Sequence, residues 1–524
     1  MALEIPGQFN IAEYFIERPA REHPQRVAIL GEPAALTYAE LRVLVHRTAS
    51  ALRASGCRPG DRVLIVLPDS AEFIAAFFAA AKIGAVAVPV NSMTRAADYA
   101  YYLADSGARF AIVHASSLPE FLPAMLGHRP EGLIVVGHQD EASRISGARN
   151  WHDWLAPVSA FAESHPTSAA DAAFFLYTSG SGGTPKAAVH EHKDMLVCAL
   201  SYAQGVLGLR PFDRTFSVSK LFFAYGLGNG MYFPFSVGAA TVLNPERPRP
   251  EKIAELLVRH RPSVFFSVPT FYNLLLREAE RGLALDFSSV RLAVSAGEAL
   301  PAEIFEQFRA RFGLNILDGI GSTEMLQMFI SNRPGEARAG TCGREVPNYE
   351  ASILDEARHP MPPGEIGNLW VRGQSAFAKY WNKPELTAAT RNAGWVNTGD
   401  KFSRDAEGFY HYCGRNDDMM KVSGMWVSPG EVENALLGHP LVAEAAVVGS
   451  LDPHGLLHPV AYLVLRSCAD PSPQLAREIL LDLRTRMVGY KCPQEVHFLA
   501  ELPKTATGKI ERFRLRQPGR PENP

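Results

Sequence analysis

Between Asp61 and Val90 the chain reads DRVLIVLPDSAEFIAAFFAAAKIGAVAVPV, and few folds can absorb such a segment. A short apolar run, DRVLIVL, has the length of one strand. A helical pattern follows, SAEFIAAFFAAAKIG, closed by Gly84, and then a second apolar strand, AVAVPV. Strands that are apolar on both faces belong in a largely parallel sheet covered by helices. The run Phe73–Val90 is broken by Lys82, Gly84 and Pro89, which excludes a membrane span. The rhythm extends in both directions. LTYAELRVLVHRTASALRASG has helical apolar spacing and ends at Gly56. FAIVHA and GLIVVG continue the strands. SVFFSVP, VRLAVSAG and LNILDGIG each lead from a short apolar strand into a glycine-containing loop. In open α/β sheets, ligands bind at such carboxyl ends.

The pattern changes after about residue 340. ASILD, GNLWVRG and FYHYCGR predict shorter, partly antiparallel strands. GRNDDMMKVSG is polar and bounded by glycines, and is expected to be a linker. Beyond it, SPGEVENALLGHP, VAEAAVVGS and HPVAYLVLR predict a small α+β domain. The expected fold is therefore α/β, a large multi-subdomain N-terminal region followed by a small C-terminal domain. A length of 524 residues suits several domains. A net charge of −3 gives no support to a nucleic-acid surface. The six cysteines, at 57, 198, 342, 413, 468 and 492, have no CxxC spacing, so isolated thiols are expected rather than a disulfide framework or a zinc site. The start MALEIPGQFN has no basic region followed by an apolar run, so no signal peptide, no membrane association and a reducing cytoplasm are expected.

One loop raises a chemical question. YTSGSGGTPKA (177–187) is rich in small and hydroxylated residues. A P-loop requires lysine directly after glycine and a hydroxyl residue next. Here Lys186 follows Pro185 and precedes Ala187, which disfavours a Walker-type NTPase. GLGNG (226–230) lacks the spacing of a dinucleotide fingerprint. The 177–187 loop is then either a phosphate cradle of backbone N–H groups, hydroxyls and one ammonium, or an ordinary Gly/Ser surface turn.

Its context gives it a meaning. YTSGSGGTPKA resembles the loop that the adenylate-forming superfamily writes as [YF]TSG[ST]TGxPKG. That superfamily includes acyl-CoA synthetases, peptide-synthetase adenylation domains and luciferases. Five further motifs follow in its order: GIGSTEM (319–325), PGEIGNLWVRG (363–373), WVNTGD (395–400), YCGRNDDMMKVSGMWVSPGEVE (412–433) and LPKTATGKIER (502–512). The resemblance covers nearly the whole chain. The wording of SKLFFAYGLGNGMYFPFSVGA and LAVSAGEALPAEI is similar to benzoate-type aryl-CoA ligases.

The resemblance implies an ATP-dependent ligase acting in two halves. A carboxylate attacks the α-phosphorus of ATP, giving acyl-AMP and pyrophosphate. The coenzyme A thiol then takes the acyl group and AMP leaves. Residues 1–416 would hold the nucleotide and acyl sites, and residues 417–524 would form a mobile domain hinged at Asp417. Thr178, Ser179, Gly180, Ser181, Gly182, Gly183, Thr184 and Lys186 would handle phosphate. Gly297 and Glu298 would border the adenine, with Asp318, Gly319 and Ile320 beside it. Ser322 and Thr323 would meet the nucleotide, with Thr323 at the α-phosphate, and Glu324 would hold Mg²⁺. Asp400 would accept the ribose hydroxyls, Tyr412 would line the nucleotide, and Arg415 would hold ribose or phosphate. Lys509 would reach the carboxylate and the α-phosphate. Lys421 would assist thioester formation, with Ser423, Gly424 and Trp426 at the coenzyme A arm. Ala224, Tyr225, Gly226, Ala296, Gly321, Gln327 and Met328 would line an aryl-acid slot.

The expected partners are an aryl acid, ATP, Mg²⁺ and coenzyme A, and a homodimer is compatible with them. Taken singly, Glu324 reads as a helix-starting glutamate, Asp400 as a turn residue and Lys509 as solvated surface. Gln327 and Met328 stand where benzoate ligases carry His-Ile, which favours a substituted benzoate such as 2-aminobenzoate or a hydroxybenzoate. Ile320 replaces a frequent aromatic, Gly182 the usual threonine and Ala187 the usual glycine. An adenylation enzyme that loads a carrier protein, and a nucleotide-binding regulator without catalysis, are the alternatives.

Overall fold

A computed structural model describes residues 3–31, 34–137, 139–179, 184–416, 418–422, 425–451, 457–466, 469–504 and 510–516. The segment 61–90 forms strand Arg62–Val66, helix Ala71–Lys82 and strand Val86–Pro89, and the two strands pair in parallel. Ser70 caps the helix by accepting the Phe73 N–H. The chain leaves it through Gly84, whose φ of +79° suits a residue without Cβ. From Phe73 to Lys82 every side chain is buried. The one charge among them, Lys82, donates to Glu17 and to Ser164, each at 2.8 Å.

Two large sheets dominate. The first has eight strands, in the spatial order Lys379–Tyr380, Pro185–Glu191, Ala172–Ser179, Val86–Pro89, Arg62–Val66, Phe110–His114, Gly132–Val136 and Ala148–Asn150. It is parallel except at the end that carries Pro185–Glu191 and Lys379–Tyr380. The second has nine strands. At its centre Val264–Ser267, Leu292–Ser295 and Ile316–Gly321 run parallel, with Ser267, Ser295 and Asp318 side by side at their carboxyl ends. One apolar core joins the sheets through Phe77, Phe174, Phe233, Phe266 and Phe329. The expected change near residue 340 is present. Glu350–Leu354, Gly367–Arg372, Trp395–Arg404 and Tyr410–Arg415 form an antiparallel sheet with the short strand Arg391–Asn392.

The C-terminal region has its own core around Val432, Leu436, Val447, Leu463 and Ile479. Strands Val442–Leu451, Leu457–Leu465 and Glu495–Phe498 carry helices Pro429–Leu437 and Pro473–Arg486. The expected linker GRNDDMMKVSG is shorter than it reads. Strand Tyr410–Arg415 runs into it and strand Met420–Val422 begins inside it, because Met419, Met420 and Val422 are buried. Arg277 pairs with Glu444 at 3.2 Å across the two regions. Among the described residues no helix is long and apolar enough to cross a membrane.

Candidate active site

The glycine-rich loop joins two antiparallel strands, Ala172–Ser179 and Pro185–Glu191, registered up to Ser179 opposite Pro185. A P-loop instead leads from a strand into a helix. The hairpin therefore agrees with the misplaced lysine. Thr178 lies opposite Lys186, and Thr184 is exposed. Gly180, Ser181, Gly182 and Gly183 lie outside the described residues. Ala187 is fully buried beside Phe175 and Val189, so its extra methyl packs into a core and does not crowd the loop.

Lys186 meets Glu324 across the sheet edge. Its Nζ lies 3.3 Å from Glu324 Oε1, with side chains only 18% and 15% exposed. Between them stands Tyr380, which the sequence reading missed. Lys186 Nζ donates to the Tyr380 hydroxyl at 2.6 Å, and that hydroxyl donates to Glu324 Oε1. Burial pushes the Glu324 carboxyl up, but Lys186 and Tyr380 outweigh it and hold the group below the usual range. It is therefore a charged carboxylate, the chemistry a hard divalent cation requires.

Glu324 sits on the turn Thr323–Met325, capped by Ser322, whose Oγ accepts the Met325 N–H at 3.2 Å. A second unforeseen group steadies this turn. His190 Nε2 donates to the Thr323 carbonyl at 2.8 Å, and its Nδ1 faces Asp194 Oδ2 at 2.8 Å. Because a carbonyl only accepts, Nε2 carries the proton. His190 and Asp194 are wholly buried. The i,i+4 pairing in HEHKD was a readable signal for their contact, but nothing in it pointed to Thr323.

The nucleotide residues converge from two other segments. Asp400 and Arg415 are cross-strand neighbours, with Arg415 Nη1 donating to Asp400 Oδ1 at 3.0 Å and to the Thr398 carbonyl at 3.0 Å. Arg415 is also felt electrostatically at Tyr380 and Glu324. Tyr412 packs edge-on against Phe402, with ring centroids 5.4 Å apart. Asp318 is 4% exposed, and burial pushes its carboxyl up to about 8. Its Oδ1 has no hydrogen-bond partner among the described residues. Such an orphaned acceptor fits the amino group of a base. Beside it, Ile320 is half-buried, and Gly319 is pressed against Met328 and Ile330, where a Cβ would come within 2.6 Å of Met328 Sδ. Gly297 follows the neighbouring strand end, and Glu298 accepts hydrogen bonds from Thr270. These donors and acceptors suit an adenine nucleotide with its cation.

Of the residues proposed for the aryl-acid slot, Gln327 meets both Tyr225 and Gly321. Gly226 and Gly321 do not open a slot by being small. A Cβ on Gly226 would lie 2.1 Å from the Lys220 carbonyl oxygen, and one on Gly321 would lie 2.7 Å from the Gln327 carbonyl group. Both glycines let backbones approach closely. Ala224 and Tyr225 are half-buried, and Ala296 and Met328 are buried. The Tyr225 hydroxyl is 3.3 Å from the carbonyls of both Ser267 and Val294. Gln327 is 3% exposed. Its Nε2 donates to the Tyr225 carbonyl at 3.1 Å and to Asn229 Oδ1 at 3.4 Å, while its Oε1 accepts the Met328 N–H at 3.1 Å. Both donor hydrogens of its amide are thus taken within the protein, and one acceptor site of its Oε1 is left to meet a ring substituent.

The C-terminal candidates are only partly described. Lys421 and Trp426 are paired across the hairpin Met420–Val422/Met425–Val427. Asp417, Ser423, Gly424 and Lys509 lie outside the described residues.

The profile of the AMP-binding enzyme family matches residues 16–381, and that of the AMP-binding enzyme C-terminal domain matches residues 431–509. The chain belongs to the AMP-binding enzyme family. A benzoate–CoA ligase of Thauera aromatica is 43% identical over 520 residues, covering 98% of this chain and 97% of its own. A benzoate CoA ligase structure from Burkholderia xenovorans LB400 superposes with a TM-score of 0.89 at 41% identity, covering 97% of this chain and 100% of that one. An anthranilate CoA ligase in complex with anthranoyl-AMP gives a TM-score of 0.92 at 37% identity, covering 98% of this chain and 97% of that one. This AMP-binding enzyme is an AMP-forming acid–CoA ligase of the aryl-acid group, and ATP and coenzyme A are its co-substrates.

Proposed function

We propose that the enzyme converts benzoate to benzoyl-CoA through benzoyl-AMP. The observation that carries the choice of acid is that both donor hydrogens of Gln327 are taken by protein acceptors, which leaves only one lone pair of Oε1 for a ring substituent. With those hydrogens and the Tyr225 hydroxyl directed at protein acceptors, a polar ring substituent finds few partners there, which favours an unsubstituted ring. A second reading rests on Asn229, which is wholly buried and whose Nδ2 has no hydrogen-bond partner among the described residues. A hydroxybenzoate, whose hydroxyl oxygen can accept there, would be favoured instead.

In the adenylation half, the loop 178–184 and Lys186 hold the polyphosphate. Glu324 holds Mg²⁺, which when bound offsets polyphosphate charge. Thr323 meets the α-phosphate, and Asp318, Gly297, Glu298 and Ile320 enclose the adenine. Asp400 accepts the ribose hydroxyls, with Arg415 and Tyr412 beside it. Lys509 draws the benzoate carboxylate onto the α-phosphorus. Rotation of residues 417–524 about Asp417 then withdraws Lys509 and brings up Lys421, Ser423, Gly424 and Trp426 for coenzyme A.

Competition between acids tests the choice of substrate. Benzoate is expected to exceed 2-aminobenzoate in kcat/KM by about tenfold or more, because an amino group buried without a partner costs about 1–3 kcal/mol. A preference for a hydroxybenzoate would instead favour the Asn229 reading, and a preference for 2-aminobenzoate would contradict both.

A further inference from the structure

We propose that Tyr380 is a positioning residue of the adenylation half-reaction: its hydroxyl keeps the Glu324 carboxylate oriented while the Lys186 ammonium serves the polyphosphate. The inference rests on the reading of Glu324 as the residue that holds Mg²⁺. Two groups meet on one carboxylate oxygen and also bond to each other. The Lys186 ammonium lies 3.3 Å from Glu324 Oε1, the Tyr380 hydroxyl donates to the same oxygen, and the ammonium donates to that hydroxyl at 2.6 Å.

The ammonium cannot serve Glu324 and the phosphates of ATP at once. A divalent cation arriving with the phosphates can replace it at Glu324, so that two opposite charges stay matched throughout. A buried carboxylate that loses a partner is costly unless another donor remains. The phenol is neutral and has no reason to follow either charge, so it can keep its bond to Glu324 throughout the exchange.

The fold fixes Tyr380 for this task. It is 1% exposed, and its ring packs on Phe377 with centroids 4.6 Å apart. Its backbone lies opposite Ala188 in the sheet, and its N–H donates to Thr387 Oγ1 at 3.0 Å. Lys186 lies two residues from Ala188, on the same face of that strand. The hydroxyl therefore cannot drift when Lys186 moves. Without it, ammonium and carboxylate would close on each other, and the cation would have to break a bare buried ion pair.

The test is Tyr380→Phe, which keeps the ring and its packing. ATP binding is measured by calorimetry at graded Mg²⁺ concentrations, with Glu324→Gln and the double variant in parallel. Tyr380→Phe is expected to raise the Mg²⁺ concentration for half-maximal ATP binding about tenfold, with Tm and benzoyl transfer from supplied benzoyl-AMP within about twofold of wild type. The double variant should be no worse than Glu324→Gln alone. A normal Mg²⁺ midpoint in Tyr380→Phe, with a shifted one in Glu324→Gln, overturns the role of Tyr380 and leaves that of Glu324. Normal midpoints in both overturn the two together. Additive losses in the double variant, or an equal loss of both half-reactions with a lowered Tm, mark Tyr380 as structural only and overturn the proposal.

Discussion

Asp318 and Glu324 stand six residues apart on one strand and the turn that follows it, yet they are opposite kinds of acid. Asp318 is enclosed with one oxygen unpartnered among the described residues, and burial pushes it up to about 8. Glu324 is also enclosed, but Lys186 and Tyr380 reverse the effect of burial and hold it below the usual range. Burial alone neutralises a carboxyl group; burial beside a fixed cation keeps it charged. The aspartate just before the GIGSTEM motif and the glutamate within it are thereby suited to different partners, a neutral base and a metal-bound polyphosphate.

In the proposed mechanism both acids serve the first half-reaction, and the largest test of that comes from outside the pair. Lys509→Ala should reduce adenylation by at least about a hundredfold, yet spare benzoyl transfer from supplied benzoyl-AMP. Equal loss of both halves would break the division. Glu324→Gln removes the charged member. Adenylation, followed by pyrophosphate release, should fall by about thirtyfold to a hundredfold, again with transfer spared.

Gly182→Thr probes the polyphosphate side, because it restores a hydroxyl. A hydrogen bond to a charged group contributes about 1.5–3 kcal/mol, so adenylation should speed up roughly tenfold or more; an unchanged rate would show that the backbone suffices there.

Asp318→Asn should have the smallest effect, and its sign follows from the raised acidity constant. Between the ordinary aspartate range and about pH 8, the unfolded chain releases a proton that the folded protein keeps. Stability therefore falls as pH rises through that window. The asparagine should flatten the decline, gaining a few degrees in Tm at pH 8 over wild type and nothing near pH 4. Parallel Tm-against-pH curves would break the contrast with Glu324.

Much of this was legible in the sequence. The strand–helix–strand unit around Phe73–Lys82 and its stop at Gly84 could be read from apolar spacing alone, and six ordered motifs marked the family. What stayed hidden depends on register and long-range contact. Tyr380 reaches Lys186 across 194 residues of chain, and it sits in a two-residue strand too short to show any periodicity. Gly226 and Gly321 looked like open space because a sequence shows that Cβ is missing, not what occupies its place. Gln327 looked available for the same reason, since its partners, Tyr225 and Asn229, lie about a hundred residues away. The linker was overdrawn because polar neighbours masked Met419, which is buried, and Met420 and Val422, which belong to the C-terminal core.

The central claim is that one chain makes an aryl-AMP and passes the aryl group to coenzyme A. The most direct measurement incubates the purified enzyme with ATP, Mg²⁺ and a panel of benzoates, with and without coenzyme A, and follows products by mass spectrometry. The account predicts benzoyl-CoA with an equal amount of AMP, and a dependence of AMP release on coenzyme A. No aryl-CoA from any benzoate, or aryl-AMP that never transfers when coenzyme A is present, would contradict it.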